Sequence, residues 1–194
     1  MEEKWKTTAM LVVDMQKDFL KPEKIMQVPG AQAVIPNVIK AVEVARQRGI
    51  LVVWIVREHD SMGRDVEFHR SHMYGEDKEG PTIKDRVGAE LADGLDIQNG
   101  DYKIVKTRYS GFYGTNLHSV LQRAGIDSLV VTGVQTPYCV RHTVFDALEL
   151  DYSSISVITD ATGAAPFSVE IHEANLLDMK NVGIATLTLK EWCA

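Results

Sequence analysis

The sequence predicts an α/β protein with a mostly parallel sheet and helices on both of its faces. Six short apolar runs alternate with segments of helical spacing, and the runs are rich in β-branched residues and, apart from Lys103 in the third, unbroken by charge, which is typical of strands buried on both faces. This alternation predicts a three-layer α/β/α, Rossmann-like architecture. The six runs are Ala9–Val13, Leu51–Val56, Tyr102–Val105, Ser128–Gly133, Ile155–Ile158 and Gly183–Ala185.

Four segments have the spacing of helices. They span Ala33–Arg48, Thr115–Ala124, Pro137–Leu150 and Ser168–Lys180, and Gly49 and Gly125 stop the first two. The polar stretch between Arg57 and Gly80 has no clear period and is predicted to be a loop region. We expect residues 1–194 to form one domain, because a chain of this length buries roughly 70% of its unfolded surface without disulfides.

Composition narrows the classes of partner and compartment. The 194 residues carry a net charge of -6 without a basic cluster, which argues against nucleic-acid and membrane partners. No apolar run approaches the roughly 20 residues of a membrane span. Two cysteines make no disulfide framework, and the charged start of the chain is unlike a signal peptide. We therefore expect a cytoplasmic protein.

Cys139 is the candidate nucleophile. It follows the fourth predicted strand, and Thr136 and Pro137 suit the N-cap and first position of the next helix. A thiol in a first helical turn lies near the positive end of the helix dipole, which favours the thiolate. A buried, inert thiol is the competing interpretation.

Asp14 and Lys106 are the candidate base and cation. Asp14 directly follows the first predicted strand, where poor solvation suits a general base, although a turn-capping role for Asp14 or Asp18 competes. Lys106 ends the third strand and, on a period of two, faces inward with Ile104. A buried lysine requires an anion, which an aspartate or a thiolate supplies. Arg108 remains an alternative cation.

These three segments together resemble the isochorismatase-like cysteine hydrolases, a superfamily that includes nicotinamidase, N-carbamoylsarcosine amidase, ureidoacrylate amidohydrolase and biuret hydrolase. The resemblance covers the chain from Leu11 to about Gly183. It is carried by three segments in order at comparable spacing: Asp14-Met15-Gln16-Lys17-Asp18-Phe19, Lys106-Thr107-Arg108-Tyr109-Ser110-Gly111-Phe112, and Gly133 through Cys139 to Asp146-Ala147.

The resemblance implies a catalytic triad of Asp14, Lys106 and Cys139 on a six-stranded parallel sheet. It also implies a non-proline cis peptide between Val134 and Gln135, which aims the N–H of Gln135 and that of Cys139 at an oxyanion. No cofactor is implied for the amidase branches. Homo-oligomers are common in the family, so a homo-oligomer is expected by analogy.

The resemblance is less specific about the substrate. Nicotinamidases carry a metal-binding Asp-x-His element after the second strand, but here that position holds Arg57-Glu58-His59, so we expect no metal site, although His59, His69 and His72 are conceivable ligands. The segment from Lys106 to Phe112 is most similar to the ureidoacrylate and carbamoyl-amide branch. The predicted pocket residues are Phe19, Gln16, Tyr109, Tyr138 and Glu58.

The sequence thus predicts a cysteine-dependent amidohydrolase that cleaves a C–N bond of a small amide, ureide or carbamoyl compound through a thioester. Its partner is then a small-molecule substrate. The alternatives are a nicotinamidase-like or isochorismatase-like hydrolase, a catalytically silent binding protein on the same fold, and a thiol redox protein. Retention of Cys139 argues against the vinyl-ether-cleaving isochorismatase branch, whose members can lack the cysteine.

Overall fold

The strands form one parallel sheet, as predicted. The computed structural model describes residues 3–21, 26–28, 30–163 and 169–194. Within these residues, six strands pair in the order β3-β2-β1-β4-β5-β6, and every pair is parallel. The strands are β1 (Thr8–Val13), β2 (Leu51–Arg57), β3 (Tyr102–Lys106), β4 (Ser128–Gly133), β5 (Ser154–Thr162) and β6 (Ala185–Leu187).

Helices connect most of these strands. They are α1 (Glu3–Lys6), α2 (Lys17–Leu20), α3 (Ala31–Arg48), α4 (Leu117–Arg123), α5 (Arg141–Glu149), α6 (Val169–Asn181) and α7 (Leu189–Cys193), with 3-10 turns at Phe68–Met73 and Val87–Ala89. The sequence did not reveal α1, α2 and α7, because four or five residues are too few to show a helical period. Of the predicted helix Ser168–Lys180, Ser168 lies outside the described residues. None of the described helices is both long enough and apolar enough to span a bilayer.

The predicted helix Pro137–Leu150 is two elements in the structure. A single π-helical turn, Thr136–Val140, precedes α5. Thr136 is not its N-cap, because Gln135 holds that position without a side-chain cap, and the Thr136 hydroxyl donates to the carbonyl of Gly163. Cys139 therefore lies within an irregular turn and not in the first turn of a regular helix.

Two apolar cores lie on the two faces of the sheet. Ala9, Leu11 and Val13 of β1 belong to a core that includes residues of α4, α5 and α6. Met10 and Val12 point the other way, into a core shared with α3 and α7. Because β1 is buried on both faces, its sequence from Ala9 to Val13 is apolar at every position and shows no alternation.

The sheet order places β1 beside β4 at its centre. From this pair the chain continues outward through β2 and β3 on one side and through β5 and β6 on the other. In open α/β sheets such a switch point opens a crevice at the carboxyl ends of the strands. Asp14 follows β1 and the Cys139 turn follows β4, so both lie at this crevice.

Gly133 allows the ends of β1 and β4 to approach each other closely. Its φ is 112°, and a Cβ added there would lie 2.1 Å from the carbonyl oxygen of Val13. A side chain would therefore separate the two strands at the point where the crevice begins.

Gly133→Ala is expected to lower the free energy of unfolding by about 3 kcal/mol or more, because the methyl group collides with backbone in addition to the unfavourable φ. Gly125→Ala is the matched control, since Gly125 also has a positive φ of 69° but has nothing within 4 Å of the added Cβ. That control should lose only about 1–2 kcal/mol. Urea denaturation measures both, and equal losses would contradict the close approach.

Candidate active site

Asp14 leaves β1 in a turn that directs its carboxylate into the crevice. Its φ is 49°, a left-handed conformation that Asp adopts more readily than most residues. The backbone N–H of Asp14 donates to the carbonyl of Ile55 at 2.8 Å, and the N–H of Gln16 donates to the carbonyl of Asp14 at 2.8 Å. The turn is thereby fixed against β2, and Asp14 is buried.

Lys106 is the last residue of β3 and faces inward, as the period of two predicts. Ile104 and Lys106 are buried, whereas Val105 between them is 43% exposed. Lys106 lies opposite Arg57 in the β2–β3 register. A lysine with no exposed surface is stable as a cation only beside an anion or acceptors.

The three predicted catalytic side chains come together. Lys106 Nζ lies 2.9 Å from Asp14 Oδ2 and 3.3 Å from Cys139 Sγ, and it donates to the carbonyl of Arg108 at 3.0 Å. The lysine thus bridges the carboxylate, through an ion pair, and the sulfur, through a hydrogen bond. The ends of β1, β3 and β4 supply one member each.

Thr143 ties the Cys139 turn to the segment after β3. Its hydroxyl donates to the carbonyl of Cys139 at 2.7 Å and accepts from the N–H of Gly111 at 2.9 Å. Thr143 is fully buried, so both bonds are shielded from water. These two hydrogen bonds hold the Cys139 sulfur in a fixed position relative to Lys106.

The backbone before Cys139 is irregular. The Val134–Gln135 peptide bond is cis. The N–H of Val134 donates to the carbonyl of Val13, and the carbonyl of Gln135 accepts from the N–H groups of Tyr138 and Val140. In the described part of the chain, the N–H of Gln135 itself donates to no backbone carbonyl.

Arg57 is a second buried cation at the site. Its guanidinium donates to both oxygens of Glu67, at 2.7 and 3.2 Å, and lies 3.2 Å from Nε2 of His59. Its Nε lies 3.9 Å from Asp14 Oδ2. Arg57 is 1% exposed, so Glu67 and Asp14 provide the charge that offsets its burial.

A narrow cavity adjoins the sulfur. Its volume is about 10 Å³, the space of about one water molecule. Three of the residues expected at a pocket line it: Phe19, which the resemblance implies, and Tyr109 and Tyr138. The other lining residues are Asp14, Met26, Arg57, Arg70, Val134, Gln135 and Cys139.

Comparison with known proteins identifies the family. The model of the isochorismatase domain matches residues 8–191. The chain belongs to the isochorismatase family. It is 60% identical over 193 residues to an Arabidopsis thaliana protein named a probable inactive nicotinamidase, with 99% of this chain and 97% of that protein covered.

Solved structures of the family have the same fold. An isochorismatase family protein from Desulfovibrio vulgaris superimposes with a TM-score of 0.91 at 37% identity, covering 95% of each chain. An N-carbamoylsarcosine amidase from Thermoplasma acidophilum gives a TM-score of 0.78 at 30% identity, covering 95% of this chain and 98% of that one. These matches agree with the α/β architecture predicted from the sequence.

Two of the predicted pocket residues of this isochorismatase-family protein do not line the cavity. The side chain of Gln16 connects the end of β2 with the backbone at Ala89. Its amide nitrogen donates to the carbonyls of Arg57 and Ala89, and its oxygen accepts from the N–H of Arg57. Glu58 forms an ion pair with Lys103 and lies at a different surface cavity. Strand alternation explains Glu58, because it follows the inward-facing Arg57 and therefore points away.

The competing cation and the competing turn-capping aspartate lie elsewhere. Arg108 donates to the carbonyls of Asp65 and Thr107 and does not reach the cavity. Asp18 accepts from the N–H of Thr82 at 2.7 Å and lines a separate cavity. The geometry therefore places Asp14, and not Asp18, at the cavity and favours Lys106 over Arg108 as the cation of the site.

The histidines of the polar loop do not form a metal site of the nicotinamidase kind. Within the described ranges, no three His, Cys, Asp or Glu side chains are grouped to hold a metal ion. Nε2 of His59 faces the Arg57 guanidinium, and burial together with that charge lowers the pKa of His59 to about 4. His69 stacks on Tyr109 instead. A fixed cation beside the imidazole repels a metal ion, so these residues do not fit one.

The surroundings of Cys139 disfavour its thiolate form. Burial and the charge of Asp14 raise the pKa of Cys139, and the opposing charges of Lys106 and Arg57 do not outweigh them. This corrects the expectation that a helix dipole favours the thiolate. The π-helical turn and the neighbouring carboxylate, which the sequence pattern does not show, account for the difference.

Sequence reasoning missed Arg57, Arg70, Met26 and Val134 as residues of the cavity wall. One signal for Arg57 was present. A charged residue directly follows the apolar run Leu51–Val56 and ends a strand that is buried on both faces, as Lys106 ends β3. Arg70 and Met26 lie in irregular segments whose approach to the sheet no periodic pattern predicts.

The pH dependence of alkylation tests the resting state of Cys139. In a Cys193→Ala background, the iodoacetamide rate should reach its midpoint at a higher pH in the folded protein than in the urea-unfolded chain, because burial and Asp14 disfavour the thiolate. Asp14→Asn should move the midpoint downward. A folded-state midpoint below that of the unfolded chain would contradict this account.

Glu67 is expected to stabilise the fold at neutral pH. Burial alone would raise the pKa of Glu67, but its hydrogen bonds and ion pair with Arg57 outweigh burial and lower the pKa to about 2 from 4.5. The stabilisation is therefore complete above pH 4.5 and is lost as the pH falls through about 2.

Glu67→Gln should accordingly lower the free energy of unfolding by roughly 2–3 kcal/mol at pH 7 and by roughly 1 kcal/mol at pH 3. Urea denaturation at both pH values measures the difference. Glu90→Gln is the control, because Glu90 pairs with Lys17 at the surface and should contribute at most about 1 kcal/mol. A loss for Glu67→Gln that does not depend on pH would contradict the assignment.

Proposed function

We propose that the protein is a cysteine-dependent amidohydrolase that cleaves a C–N bond of a small amide, ureide or carbamoyl compound. The observation that supports it is the bridge of Lys106 Nζ between Asp14 Oδ2 and Cys139 Sγ, at 2.9 and 3.3 Å, beside a cavity. Similarity to an N-carbamoylsarcosine amidase, which is 30% identical to this chain, supports C–N cleavage.

In the first half of the reaction, Asp14 accepts the proton of Cys139 while Lys106 stabilises the thiolate. Because the surroundings of Cys139 disfavour the thiolate, proton transfer accompanies attack of sulfur on the carbonyl carbon. The N–H groups of Gln135 and Cys139 stabilise the oxygen anion of the tetrahedral intermediate. Asp14 then returns the proton to the departing nitrogen, the C–N bond breaks, and ammonia or an amine leaves a thioester on sulfur.

In the second half, water attacks the thioester carbon. Asp14, again a carboxylate, removes a proton from that water. Collapse of the second tetrahedral intermediate breaks the C–S bond, and the proton returns to sulfur. The acid product leaves, and the thiol of Cys139 is restored for the next turnover.

The name of the Arabidopsis relative, which describes a nicotinamidase that is inactive, is compatible with this proposal. The Arabidopsis relative is named a probable inactive nicotinamidase. In the present chain Arg57 and His59 contact each other where nicotinamidases hold their metal element, while Asp14, Lys106 and Cys139 remain together. A change of substrate towards ureides or carbamoyl compounds explains both facts.

A catalytically silent binding protein is the second candidate. It is favoured by the cavity volume of about 10 Å³, which leaves no room for a substrate unless lining side chains move. Tyr138, which is 42% exposed, is one lining side chain with room to rotate. The cytoplasmic location and the homo-oligomer stay predictions under either proposal.

Cys139→Ala is expected to abolish ammonia release, by about 10³-fold or more, on whichever compound the wild type hydrolyses. The panel comprises ureidoacrylate, biuret, N-carbamoylsarcosine, maleamate and nicotinamide. Cys193→Ala is the matched control and should keep wild-type rates, since Cys193 lies in α7 and does not line the cavity. Full activity in Cys139→Ala would refute the mechanism, and a wild type silent on the whole panel would favour the binding protein.

A further inference from the structure

His172 connects α6 with the turn that carries Cys139. This turn, Thr136–Val140, begins at Thr136, and the hydroxyl oxygen of Thr136 lies 2.9 Å from Nδ1 of His172. Thr136 is fully buried and His172 is half-buried. Neither residue lines the cavity beside the sulfur. The contact therefore reaches the backbone of the turn without touching a molecule in the cavity.

The direction of this hydrogen bond follows from the other bond of Thr136. Its hydroxyl also contacts the carbonyl oxygen of Gly163, and a carbonyl can only accept. The single hydroxyl proton therefore lies towards Gly163, and the oxygen has only lone pairs left for His172. Burial lowers the pKa of His172, and the charge of Glu173 opposes this only in part, so the imidazole is neutral at pH 7 with one proton. That proton is on Nδ1.

Thr136 extends the connection to the end of β5. The carbonyl of Gly163 accepts from the N–H of Thr136 at 2.9 Å as well as from its hydroxyl, and the N–H of Gly163 donates to the carbonyl of Gly133 at 2.9 Å. A Cβ added to Gly163 would lie 2.4 Å from Cγ1 of Val134, so this backbone is in tight contact with the residues before the turn. The start of the turn is thereby held between the end of β5 and α6.

His172 is an unusual inward-facing residue for the first half of α6. From Val169 to Ala174 every other side chain is exposed, and Met179, which is fully buried, lies two helical turns further on. An apolar side chain at position 172 would be enough for packing. A half-buried imidazole that donates to a buried hydroxyl instead fixes a direction and a distance, which apolar contact does not.

The place of Thr136 in the chain links this network to the proposed chemistry. Thr136 directly follows Gln135, whose N–H is proposed to stabilise the oxyanion, and lies three residues before Cys139. The carbonyl of Gln135 accepts from the N–H groups of Tyr138 and Val140, so a shift at Thr136 is transmitted along the whole turn. A displacement of about 1 Å at reacting groups can cost roughly 100-fold in rate.

We propose that His172 is a positioning residue: through the hydroxyl of Thr136 it holds the turn that presents the Gln135 N–H and the Cys139 sulfur. His172 does not touch the substrate and exchanges no proton with it. The inference rests on the proposed amidohydrolase function. It adds a residue of α6 to a site whose three reacting side chains come from the ends of β1, β3 and β4.

Two substitutions that place an N–H donor differently test this role. In His172→Asn the side-chain amide nitrogen can take the place of Nδ1, whereas in His172→Gln the amide lies one bond further out. His172→Gln should lower kcat by roughly 10-fold, the factor that one hydrogen bond is worth, on whichever compound the wild type hydrolyses. KM should stay within about 2-fold, because the oxyanion contacts are made only in the transition state. His172→Asn should restore kcat to within about 3-fold of the wild type.

A double-variant cycle tests whether His172 acts through Thr136. Thr136→Val removes the hydroxyl, so in that background His172→Gln should change kcat by less than about 2-fold. Independent, multiplicative losses of kcat would overturn the proposed route.

His118→Gln is the matched control. Nδ1 of His118 lies 3.1 Å from the hydroxyl oxygen of Tyr152, so this variant loses a bond of the same kind at another half-buried histidine, on α4. Its kinetic constants should match those of the wild type. A loss of kcat equal to that of His172→Gln would show a general effect of stability and would overturn the positioning role.

Hydrogen exchange measured by NMR tests the connection without a substrate. The amides of Tyr138 and Val140 should exchange roughly 10-fold faster in His172→Gln, and at wild-type rates in His172→Asn and His118→Gln. Unchanged exchange in His172→Gln would overturn the proposal whether or not the protein is an enzyme. Faster exchange with wild-type kcat would overturn the positioning role and leave the amidohydrolase function intact. A wild type that hydrolyses nothing refutes the proposed function, and the exchange rates then decide alone whether His172 holds the turn.

Discussion

The site depends on one buried ammonium group. Lys106 holds a carboxylate and a sulfur atom from two other strands within 2.9 and 3.3 Å, and none of its own surface is exposed. An isolated charge in that position would be strongly destabilising, so Lys106 and Asp14 are stable only together. Under the proposed function, the same ion pair supplies a base and a cation to the thiol.

The order of the strands in the sheet brings Asp14, Lys106 and Cys139 together. Asp14 and Cys139 follow the two adjacent central strands, and Lys106 reaches them from β3, the edge strand, by extending across the end of β2. Gly133 keeps β1 and β4 close enough for the crevice to form between their ends. Thr143 then fixes the Cys139 turn against the segment after β3, so the distances at the sulfur follow from the backbone framework.

Arg57 distinguishes this member of the isochorismatase family from a metal-dependent one. Its guanidinium lies beside His59 and holds Glu67, so a fixed organic cation stands where the nicotinamidase pattern has a metal element. A guanidinium has directed N–H donors and cannot accept a lone pair from a pyridine nitrogen as a metal does. Under the proposed function, an arginine at this position limits which small molecules the cavity recognises.

The sequence by itself determined the α/β architecture and singled out the three residues that are predicted to form the triad. Unbroken apolar strands and the residues that end them are local patterns, so Asp14, Lys106 and Cys139 were found from periodicity and from the family resemblance. Only the tertiary structure decided that the Gln16 side chain bonds to the backbone of Arg57 and that Glu58 points away from the cavity. It also decided that Arg57 and Arg70 line the cavity. The tertiary structure likewise decided that the thiolate form of Cys139 is disfavoured, because burial and the distance to Asp14 depend on how strands far apart in sequence are placed side by side.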